Sequence, residues 1–212
     1  MEFLFTVVVG NPPYSGHSSN TGKWITELVR DYYFVDGQPL GERNPKWLQD
    51  DYVKFIRLGE HLIAQADIGI QSYITNHGYI DNPTFRGFRQ QLTTSFTVLD
   101  VLDLHGNTTK KELSPDGSPD QNVFDIKQGV AVFAARRKPS NEDVMHVLHH
   151  RHLFGLREAK YEELSNSTLL TGERSVIKPT SRFYLFIPQD LVLKEEYETY
   201  IGSIDAFPVN VL

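Results

Sequence analysis

Short apolar runs that alternate with polar turns make up most of the 212-residue chain. The first run covers residues 3–9, consists of β-forming residues and ends at Gly10, which is typical of a buried parallel strand. Later runs predict strands at residues 68–74, 96–104, 129–135, 144–149 and 183–187. A polar stretch rich in turn-forming residues predicts a long surface loop at residues 106–122.

Between these runs, apolar residues recur at helical spacing. They predict helices at residues 24–32 and 157–164, and a third that opens at Asn82-Pro83 with an apolar face formed by Phe85, Phe88 and Leu92. The strongest helix begins with Asn44 as its N-cap and Pro45 at the first helical position, and its apolar face comprises Leu48, Tyr52, Phe55, Ile56, Leu62 and Ile63. The alternation of strands and helices predicts an α/β fold with a mostly parallel sheet.

The tetrapeptide Asn11-Pro12-Pro13-Tyr14 follows the first predicted strand directly. In open α/β sheets, ligands bind just beyond the carboxyl ends of the strands, so this segment has the position of a catalytic loop. The two prolines fix φ at successive residues and remove two N–H donors, which makes the loop stiff. Such a loop suits the binding of an exocyclic amine, because the Asn11 side-chain oxygen and the Pro12 carbonyl can both accept from an NH2 group.

Two acceptors on a planar amine draw its nitrogen toward tetrahedral geometry and free the lone pair for methyl transfer. The reaction then depends mainly on alignment with the methyl donor, and such positioning contributes up to about 7–11 kcal/mol. Tyr14 supplies an aromatic face for an unstacked base, and a duplex base must be flipped out before it reaches such a pocket. The alternative interpretation is a rigid turn that ends a strand, since short motifs also occur by chance.

Composition and charge narrow the classes of protein. Hydrophobic residues make up 40% of the chain and charged residues 23%, the balance of a soluble globular domain. The chain contains no cysteine, which excludes disulfides and thiolate metal sites and fits a cytoplasmic location. No apolar run is long enough for a membrane span, and no signal peptide is recognisable. The net charge of −6 requires any DNA-binding surface to be local or to lie elsewhere in a longer chain.

The stretch Val9-Gly10-Asn11-Pro12-Pro13-Tyr14 resembles the catalytic motif of amino-methyltransferases that act on adenine in DNA. Residues 44–57, which begin Asn-Pro-Lys-Trp-Leu-Gln-Asp-Asp-Tyr, are similar to the helix after that motif in the methylase region of single-polypeptide restriction-modification enzymes, of type I or of type II fusions. Further similar stretches follow in order at residues 74–80, 85–89, 102–107, 122–130 and 156–161. The resemblance therefore covers nearly the whole chain.

This resemblance implies an α/β fold that forms the C-terminal, catalytic half of a Rossmann-like class I methyltransferase sheet, with a short mixed α/β extension. We expect the catalytic half at residues 1–138 and the extension at residues 139–212, leading toward a target-recognition region. The implied cofactor is S-adenosyl-L-methionine, and no metal takes part in methylation. Because the family binds this cofactor through elements that precede the catalytic strand, the chain is expected to be a fragment that is inactive alone.

The resemblance also implies roles for individual residues and partners. Asn11, Pro12, Pro13 and Tyr14 form the catalytic loop, and Phe124 takes the position of an aromatic residue that, with Tyr14, stacks on the flipped adenine. Asn76 and His77 line the cleft. The implied partners are double-stranded DNA and the remainder of a parent polypeptide, namely its cofactor-binding half and target-recognition region, with or without a nuclease and an ATPase motor. No membrane partner is implied.

Basic residues offer candidate contacts to the DNA backbone. Arg86, Arg89, Lys110 and Lys111 are the candidates that we assign to such a surface. A further basic group, Arg136, Arg137 and Lys138, fits a phosphate-binding surface and a set of scattered solvated charges equally well. Asp50 and Asp51 are interpreted as acids on the surface of a helix, because adjacent helical residues do not face each other.

Four histidines occur within seven positions: His146, His149, His150 and His152. Strand alternation would place His149 on the opposite face from the other three, and no carboxylate pattern nearby in the sequence completes a metal site. We therefore predict a solvated or substrate-facing edge and no metal.

Three functions remain open from the residues. The first is methylation of the N6 amine of adenine in DNA. The second is methylation of another planar amine, either a glutamine amide in protein or a base amine in RNA. The third is a catalytically silent module that contacts DNA. The stretches at residues 44–57 and 122–130 favour the first function through the resemblance.

Overall fold

A six-stranded mixed β-sheet forms the centre of the fold in a computed structural model that describes residues 5–14, 18–42, 45–66, 68–138, 146–168 and 171–199. The strands are β1 (Phe5–Gly10), β2 (Phe34–Val35), β3 (Gln38–Pro39), β4 (Ile68–Asn76), β5 (Val98–His105), β6 (Val130–Arg137), β7 (Val147–His152) and β8 (Ser175–Ile177). The α-helices are α1 (Lys23–Val29), α2 (Asp51–Ala64), α3 (Arg86–Ser95), α4 (Arg157–Asn166) and α5 (Leu191–Thr199). Short 3-10 turns lie at Arg30–Tyr33, Lys46–Gln49, His77–Tyr79 and Pro83–Phe85.

The strand order in the sheet is β1-β4-β6-β5-β7-β8, and β2 and β3 form a separate hairpin. β1 is parallel to β4 and β5 is parallel to β7, whereas β6 lies antiparallel between β4 and β5, and β8 is antiparallel to β7. Four of the six strands (β1, β4, β5 and β7) therefore run in one direction and end at the same side, which we call the carboxyl edge. This confirms the predicted α/β class and is consistent with a Rossmann-like methyltransferase fold.

The main hydrophobic core lies between the sheet and helices α2 and α3. Alternate residues of β4, β5 and β6 point into it, and the helices contribute Ile56, Ile63, Phe88 and Leu92. On the other face of the sheet, a smaller cluster of Leu102, Leu104, Val123 and Val130 packs against Leu164 of α4. Each fully buried side chain of this size stabilises the fold by about 1.5–3 kcal/mol, so the helical face carries most of the stability.

The first strand is less buried than its apolar sequence predicts. Phe3 lies outside the described residues, and within β1 the side chains of Val7 and Val9 are 55% and 72% exposed. β1 is the edge strand of the sheet, and α2 covers only the face to which Val8 points. The prediction of a buried strand is therefore wrong for one face, because burial depends on what packs against the strand.

The helix expected from Asn44 begins seven residues later, at Asp51. Asn44 lies outside the described residues, and Lys46–Gln49 form a 3-10 turn that ends at Asp50, whose backbone is extended (φ −61°, ψ 147°). Tyr52, Ile56 and Ile63 are buried as predicted, but Phe55 and Leu62 are 37% and 40% exposed. The extended backbone at Asp50 separates the turn from the helix. The predicted apolar residues therefore do not form one continuous helical face.

Asp50 and Asp51 are buried rather than on the helix surface, at 4% and 6% exposure. The Asp51 carboxylate accepts hydrogen bonds from the Ser18 hydroxyl (2.6 Å) and the Asn20 amide (2.7 Å). Lys54 also donates to the Ser18 hydroxyl at 2.9 Å. These contacts fix the segment that follows the Asn-Pro-Pro-Tyr loop onto the start of α2, which is why the acid at position 51 is buried.

The C-terminal region differs most from the sequence prediction. The strand predicted at residues 183–187 is wrong: these residues form turns, with Phe186 fully buried and its N–H donating to the carbonyl of Ile80. Instead, β8 pairs with β7, and α5 follows. The predicted strand at residues 144–149 begins outside the described residues and is observed as β7. The other predicted strands and helices, and the loop at residues 106–122, are confirmed.

Candidate functional site

The Asn-Pro-Pro-Tyr loop lies at the carboxyl edge, immediately after β1. Pro12 is buried and anchors the loop, whereas Asn11 and Pro13 are exposed. Tyr14 is half-buried, and its ring meets that of Tyr52 edge-on, with 6.4 Å between centroids. The Tyr14 hydroxyl donates to Asn11 Oδ1 at 3.3 Å. Burial raises the pKa of Tyr14, so its hydroxyl keeps the proton that it donates.

Tyr14 and Phe124 are brought to the same hydrophobic cluster. Both half-buried rings pack against the group formed by Leu102, Leu104, Val123 and Val130. The two residues are far apart in sequence, but the loop after β1 and the loop before β6 meet at the carboxyl edge. The structure therefore places the two predicted stacking residues against one hydrophobic cluster. Their role in binding a target adenine remains a prediction.

Asn122 holds the backbone that carries Phe124. Its amide nitrogen donates to the carbonyls of Gly106 (3.0 Å) and Gln128 (2.6 Å), and its side-chain oxygen accepts from the Phe124 N–H at 2.8 Å. Gly106 has φ +78°, and a Cβ added to it would lie 2.3 Å from the Asn122 Cα, so only glycine fits this contact. The bend of the loop is thus fixed by hydrogen bonds that its sequence alone does not reveal.

A cavity of about 640 Å³ opens beside Phe124. Arg157, at the start of α4, lines it and donates to the carbonyls of Asn122 (2.7 Å) and Phe124 (3.0 Å). This volume lies in the range of small-molecule sites, although the cavity is open to solvent. The residues lining it also include Thr108, Ile126 and Lys127.

Asn76 and His77, the predicted cleft residues, lie at the end of β4. The Asn76 side chain accepts from the Gly78 N–H at 2.7 Å and so caps the turn at His77–Tyr79. His77 is 7% exposed, and its backbone N–H donates to the carbonyl of Gly129 at 3.0 Å. His77 lines a second cavity, of about 290 Å³, at the carboxyl edge. The Asn76 side chain is therefore hydrogen-bonded to the backbone of the turn, whereas the His77 ring faces a cavity.

A buried network of imidazoles and carboxylates surrounds His77, and the network was not among the predicted site residues. His77 Nδ1 lies 3.0 Å from Asp103 Oδ1, and His105 Nδ1 lies 2.7 Å from Glu112 Oε1. Asn107 Nδ2 lies 3.1 Å from His77 Nε2, and the Asn107 oxygen accepts from the Lys110 N–H. Because the amide nitrogen only donates, His77 Nε2 is the acceptor and Nδ1 carries the proton given to Asp103.

The two carboxylates in this network are stabilised in their charged form. Burial alone would raise the pKa of Asp103 and of Glu112, but hydrogen bonds and the neighbouring imidazoles outweigh it, so both pKa values are lowered. The signal in the sequence was the placement of two polar residues, Asp103 and His105, at the end of a mainly apolar strand. Glu112 lies in the polar loop, and nothing in its own neighbourhood pointed to the network.

Two of the four residues predicted to contact the DNA backbone, Arg86 and Arg89, are not available to it, because their side chains are largely buried. Arg89 is 0% exposed and donates to the carbonyls of Tyr79 (2.6 Å), Asn82 (2.9 Å), Tyr184 (3.0 Å) and Phe183 (2.5 Å). Burial lowers its pKa to about 9. Arg86 has a side chain only 15% exposed and pairs with Glu42 at 2.7 Å. Both arginines hold the fold together, so neither presents a free guanidinium to a phosphate.

The remaining basic candidates lie at the surface. Lys110 has a side chain 60% exposed, 4.0 Å from Asp81, and Lys111 is exposed beside it. Both follow the end of β5, at the same edge as the Asn11 loop, and they keep their predicted role as a proposal. Arg136 and Arg137 lie at the opposite edge, because β6 is antiparallel and ends beside the start of β4.

The histidine segment is also corrected. His150 and His152 share one face of β7, His149 lies on the other at 3.0 Å from Asp100, and His146 contacts the carbonyls of Thr93 and Phe96. His150 is 1% exposed, so the predicted solvated edge is wrong for this residue. Asp103, on the neighbouring strand, supplies the carboxylate that was not found in the local sequence.

Comparison with known proteins identifies the family. The profile of the Eco57I restriction-modification methylase family matches residues 2–109, about half of the 212-residue chain. The chain therefore belongs to the Eco57I restriction-modification methylase family. No curated protein matches the chain.

Solved structures that are similar to this chain belong to longer proteins. The ATP-dependent Type ISP restriction-modification enzyme LlaBIII bound to DNA is 28% identical, with a TM-score of 0.71, over 85% of this chain and 12% of that chain. The DrdV–DNA complex, solved by cryoEM, is 25% identical, with a TM-score of 0.69, over 84% of this chain and 18% of that chain. A nuclease-deletion mutant of the Type ISP restriction-modification enzyme LlaGI in complex with a DNA substrate mimic (21% identity, TM-score 0.72, 90% and 19% coverage) shows the fold alone. This chain spans only 12–19% of the length of these proteins.

The described helices contain no candidate for a membrane span. None of them combines the length and the apolar character that crossing a bilayer requires.

Proposed function

We propose that this chain is the catalytic part of an S-adenosyl-L-methionine-dependent DNA methyltransferase, which methylates the N6 amine of a flipped adenine within a restriction-modification system. The observation that carries the proposal is the Asn-Pro-Pro-Tyr loop. It lies at the carboxyl edge with its Asn11 side chain exposed, in a chain that belongs to a restriction-modification methylase family. DNA is the substrate in the proposal because two relatives at 25–28% identity were solved with DNA bound.

The geometry of the loop supports the binding of an amine. Pro12 is buried, so its position is fixed, and neither Pro12 nor Pro13 has an N–H that would compete for a nearby carbonyl. The Tyr14 hydroxyl occupies one acceptor site of Asn11 Oδ1 at 3.3 Å and orients the amide. The second lone pair of that oxygen is then directed to the adenine amine, together with the Pro12 carbonyl. Tyr14 and Phe124 supply the aromatic surfaces on which the base stacks.

When bound, S-adenosyl-L-methionine supplies a methyl group on a sulfonium, and the loop positions the acceptor nitrogen without a strong base. The side of β1 that carries Val7 and Val9 fits the place of the cofactor-binding elements. β1 has no partner strand on its outer side among the described residues, and these two valines are exposed. We propose that a separate segment of a parent polypeptide covers this region and contributes most of the cofactor site.

The proposed organisation follows from this arrangement. Residues 1–138 are the catalytic half, and residues 139–212 extend the sheet through β7 and β8 toward a target-recognition region. Lys110 and Lys111 are proposed contacts to the DNA backbone. The proposal includes a parent polypeptide that carries a nuclease or an ATPase motor. It also includes a cytoplasmic location. The 12–19% share of the solved relatives supports a larger parent.

The test of the loop compares three proteins, each joined to its natural upstream segment: the natural sequence, Asn11→Ala, and Ser19→Ala as a matched control. Transfer of a labelled methyl group from S-adenosyl-L-methionine to DNA is measured. Asn11→Ala should lower the rate by at least about 100-fold, the usual effect of losing one preorganised hydrogen-bonding group at the reacting centre. Ser19 is exposed, so its replacement should leave the rate unchanged. A near-normal rate in Asn11→Ala would reject the assigned role.

A further inference from the structure

His150, near the end of β7, is buried without a hydrogen-bonding partner. The residue is 1% exposed, and neither of its ring nitrogens forms a hydrogen bond within the described part of the chain. Buried polar groups in proteins are nearly always satisfied, and an exception calls for a missing partner such as a water or an ion.

Two further ligand groups converge on this imidazole. In the parallel pairing of β5 with β7, Asp103 lies opposite His152, and Val101 lies opposite His150. Asp103, His150 and His152 each offer one ligand atom, and these atoms all lie within 4.8 Å of one another. The His150 and His152 rings are 4.3 Å apart between centroids. We propose that Asp103, His150 and His152 bind a divalent transition-metal ion, with Zn²⁺ as the ion that best fits two imidazoles and one carboxylate.

The distances are compatible with such a site after small side-chain rotations. Zn²⁺ binds histidine nitrogen at about 2.0–2.1 Å and carboxylate oxygen at about 2.0–2.2 Å, so opposed ligand atoms come closer than 4.8 Å when the ion is present. Three protein ligands leave the fourth tetrahedral position for water. His152 is exposed and lines the cavity of about 290 Å³, which gives the ion a path from solvent.

A relay of hydrogen bonds orients His152 for this role. His105 Nδ1 lies 2.7 Å from Glu112 Oε1, and His105 Nε2 lies 2.8 Å from His152 Nδ1. When His105 carries a single proton on Nδ1, shared with Glu112, its Nε2 accepts from His152 Nδ1–H. That leaves His152 Nε2 without a proton and free to bind an ion. Metal-binding histidines usually donate their other N–H in this way, and the chain supplies the partner.

The neighbouring group of His77, His105 and Glu112 is a weaker candidate, although its atoms are also close together. Its members already satisfy one another or other groups: His77 binds Asp103 and Asn107, and His105 binds Glu112 and His152. Metal binding to that group would break these bonds, whereas an ion at Asp103, His150 and His152 would supply the partner that His150 lacks. None of the three ligands belongs to the Asn11 loop, although Asp103 also contacts His77, one of the predicted cleft residues.

Zn²⁺ binding to the full chain tests the proposal. The protein is treated with EDTA, exchanged into metal-free buffer at pH 7, and titrated with Zn²⁺ by calorimetry, with Co²⁺ absorption as a second probe of ligand geometry. The natural sequence should bind one equivalent of Zn²⁺. His152→Ala should abolish this binding, and because His152 is exposed the variant should fold normally. His150→Ala should also abolish it, with circular dichroism in EDTA as the check on folding.

His149→Ala is the matched control, because His149 lies on the same strand but points to the opposite face, where it contacts Asp100. It should retain the one-equivalent binding. Glu112→Gln should weaken binding by less than the about 10–100-fold that follows loss of a direct partner of a ligand, because Glu112 reaches His152 only through His105. Absence of saturable binding in the natural sequence, unchanged binding in His152→Ala, or equal loss in His149→Ala would each overturn the proposal.

Discussion

Tyr14 shows how one residue connects the Asn11 loop to the core. Its ring packs against Tyr52 on the helical face and against the Leu102 cluster on the other, while its hydroxyl holds the Asn11 side chain. The aromatic ring and the hydroxyl therefore have separable tasks. In the proposed mechanism the ring stacks on the target base, and the hydroxyl orients the Asn11 amide through its hydrogen bond.

Tyr14→Ala should lower methyl transfer by about 10–100-fold, because base stacking contributes about 1–3 kcal/mol. DNA binding should change much less, since the contact forms only after the base is flipped. Tyr14→Phe is the control that keeps the ring and removes only the bond to Asn11, so its loss should be smaller. Equal losses of DNA binding and methyl transfer in Tyr14→Ala would count against a stacking role.

Tyr73 gives a pH dependence with a definite sign. Burial raises its pKa to about 12, and its hydroxyl donates to the Phe55 carbonyl at 3.1 Å. A raised pKa contributes stability that is complete below the unfolded value of about 10 and is lost as pH rises to 12. The contribution of Tyr73 to the free energy of unfolding should fall by about 3 kcal/mol over this window. It is measured as the difference between the natural sequence and Tyr73→Phe in urea unfolding at each pH. Tyr73→Phe should show a shallower fall, and an equal fall would refute the assignment.

Local sequence was sufficient to place Asn11 and Pro12, because a strand followed by two prolines leaves few conformations. It was not sufficient for Arg89, His150 or Asp51. Each is a polar residue whose burial is decided by distant segments: the turn at Phe183 for Arg89, β5 for His150, and Ser18 for Asp51. Arginine, histidine and aspartate are usually exposed, so a prediction from one sequence places them at the surface.

At the scale of elements, α4 is attached to the sheet by a buried ion pair. Lys160 Nζ lies 2.7 Å from Asp120 Oδ1, and both side chains are fully buried. Lys160 also donates to the carbonyls of Leu104 (2.7 Å) and Gln121 (2.6 Å), and Asp120 accepts from the Gly106 N–H (2.6 Å). The pair therefore ties the end of β5, the long polar loop and α4 together at the carboxyl edge.

Lys160→Met should destabilise the chain by about 3–5 kcal/mol, because it leaves Asp120 as a buried charge without its cation. Chemical denaturation with tryptophan fluorescence measures this loss. The double variant Lys160→Met with Asp120→Asn should recover part of it, since the uncompensated charge is gone. If the single variant were within 0.5 kcal/mol of the natural protein, the pair would not be what attaches α4.

The elements with strong periodicity were predicted well, and the weak ones were not. β4 and β5 carry apolar residues at most positions, β6 has a continuous apolar run, and α3 with the turn before it has three apolar residues on one face. The strand β8 has only three residues and exists because it pairs with β7. The helix α5 is mostly exposed and has little apolar periodicity. The start of α2 shifted because Asp50 takes an extended conformation, a choice of backbone that the flanking residues do not specify.

For the whole molecule, the uneven cover of the sheet is the main feature. Helices α2 and α3 bury one face, but around Val7 and Val9 the other face remains exposed at the edge strand. Isolated apolar residues at a surface are common, but two on one edge strand fit an interface with further structure. This is the region where the proposed cofactor-binding segment would pack.

Val9→Lys tests that arrangement. Val9 is 72% exposed, so the change should alter the free energy of unfolding of this chain by no more than about 0.5 kcal/mol. In the longer polypeptide that includes the upstream segment, it should lower stability and methyl transfer, because a charge would be buried at the interface. An equal lack of effect in both proteins would place the upstream segment elsewhere.

The Asn11 loop is proposed to serve methylation of adenine in DNA. The most direct measurement joins the chain to its natural upstream segment and incubates it with S-adenosyl-L-methionine carrying a labelled methyl group, together with DNA, RNA and protein extract. Each fraction is then digested, and the labelled species is identified by mass spectrometry. We expect label in N6-methyladenine from DNA with the natural sequence, and no such label with the Asn11→Ala variant. Label in RNA or protein instead, or no label in any fraction, would contradict the proposal.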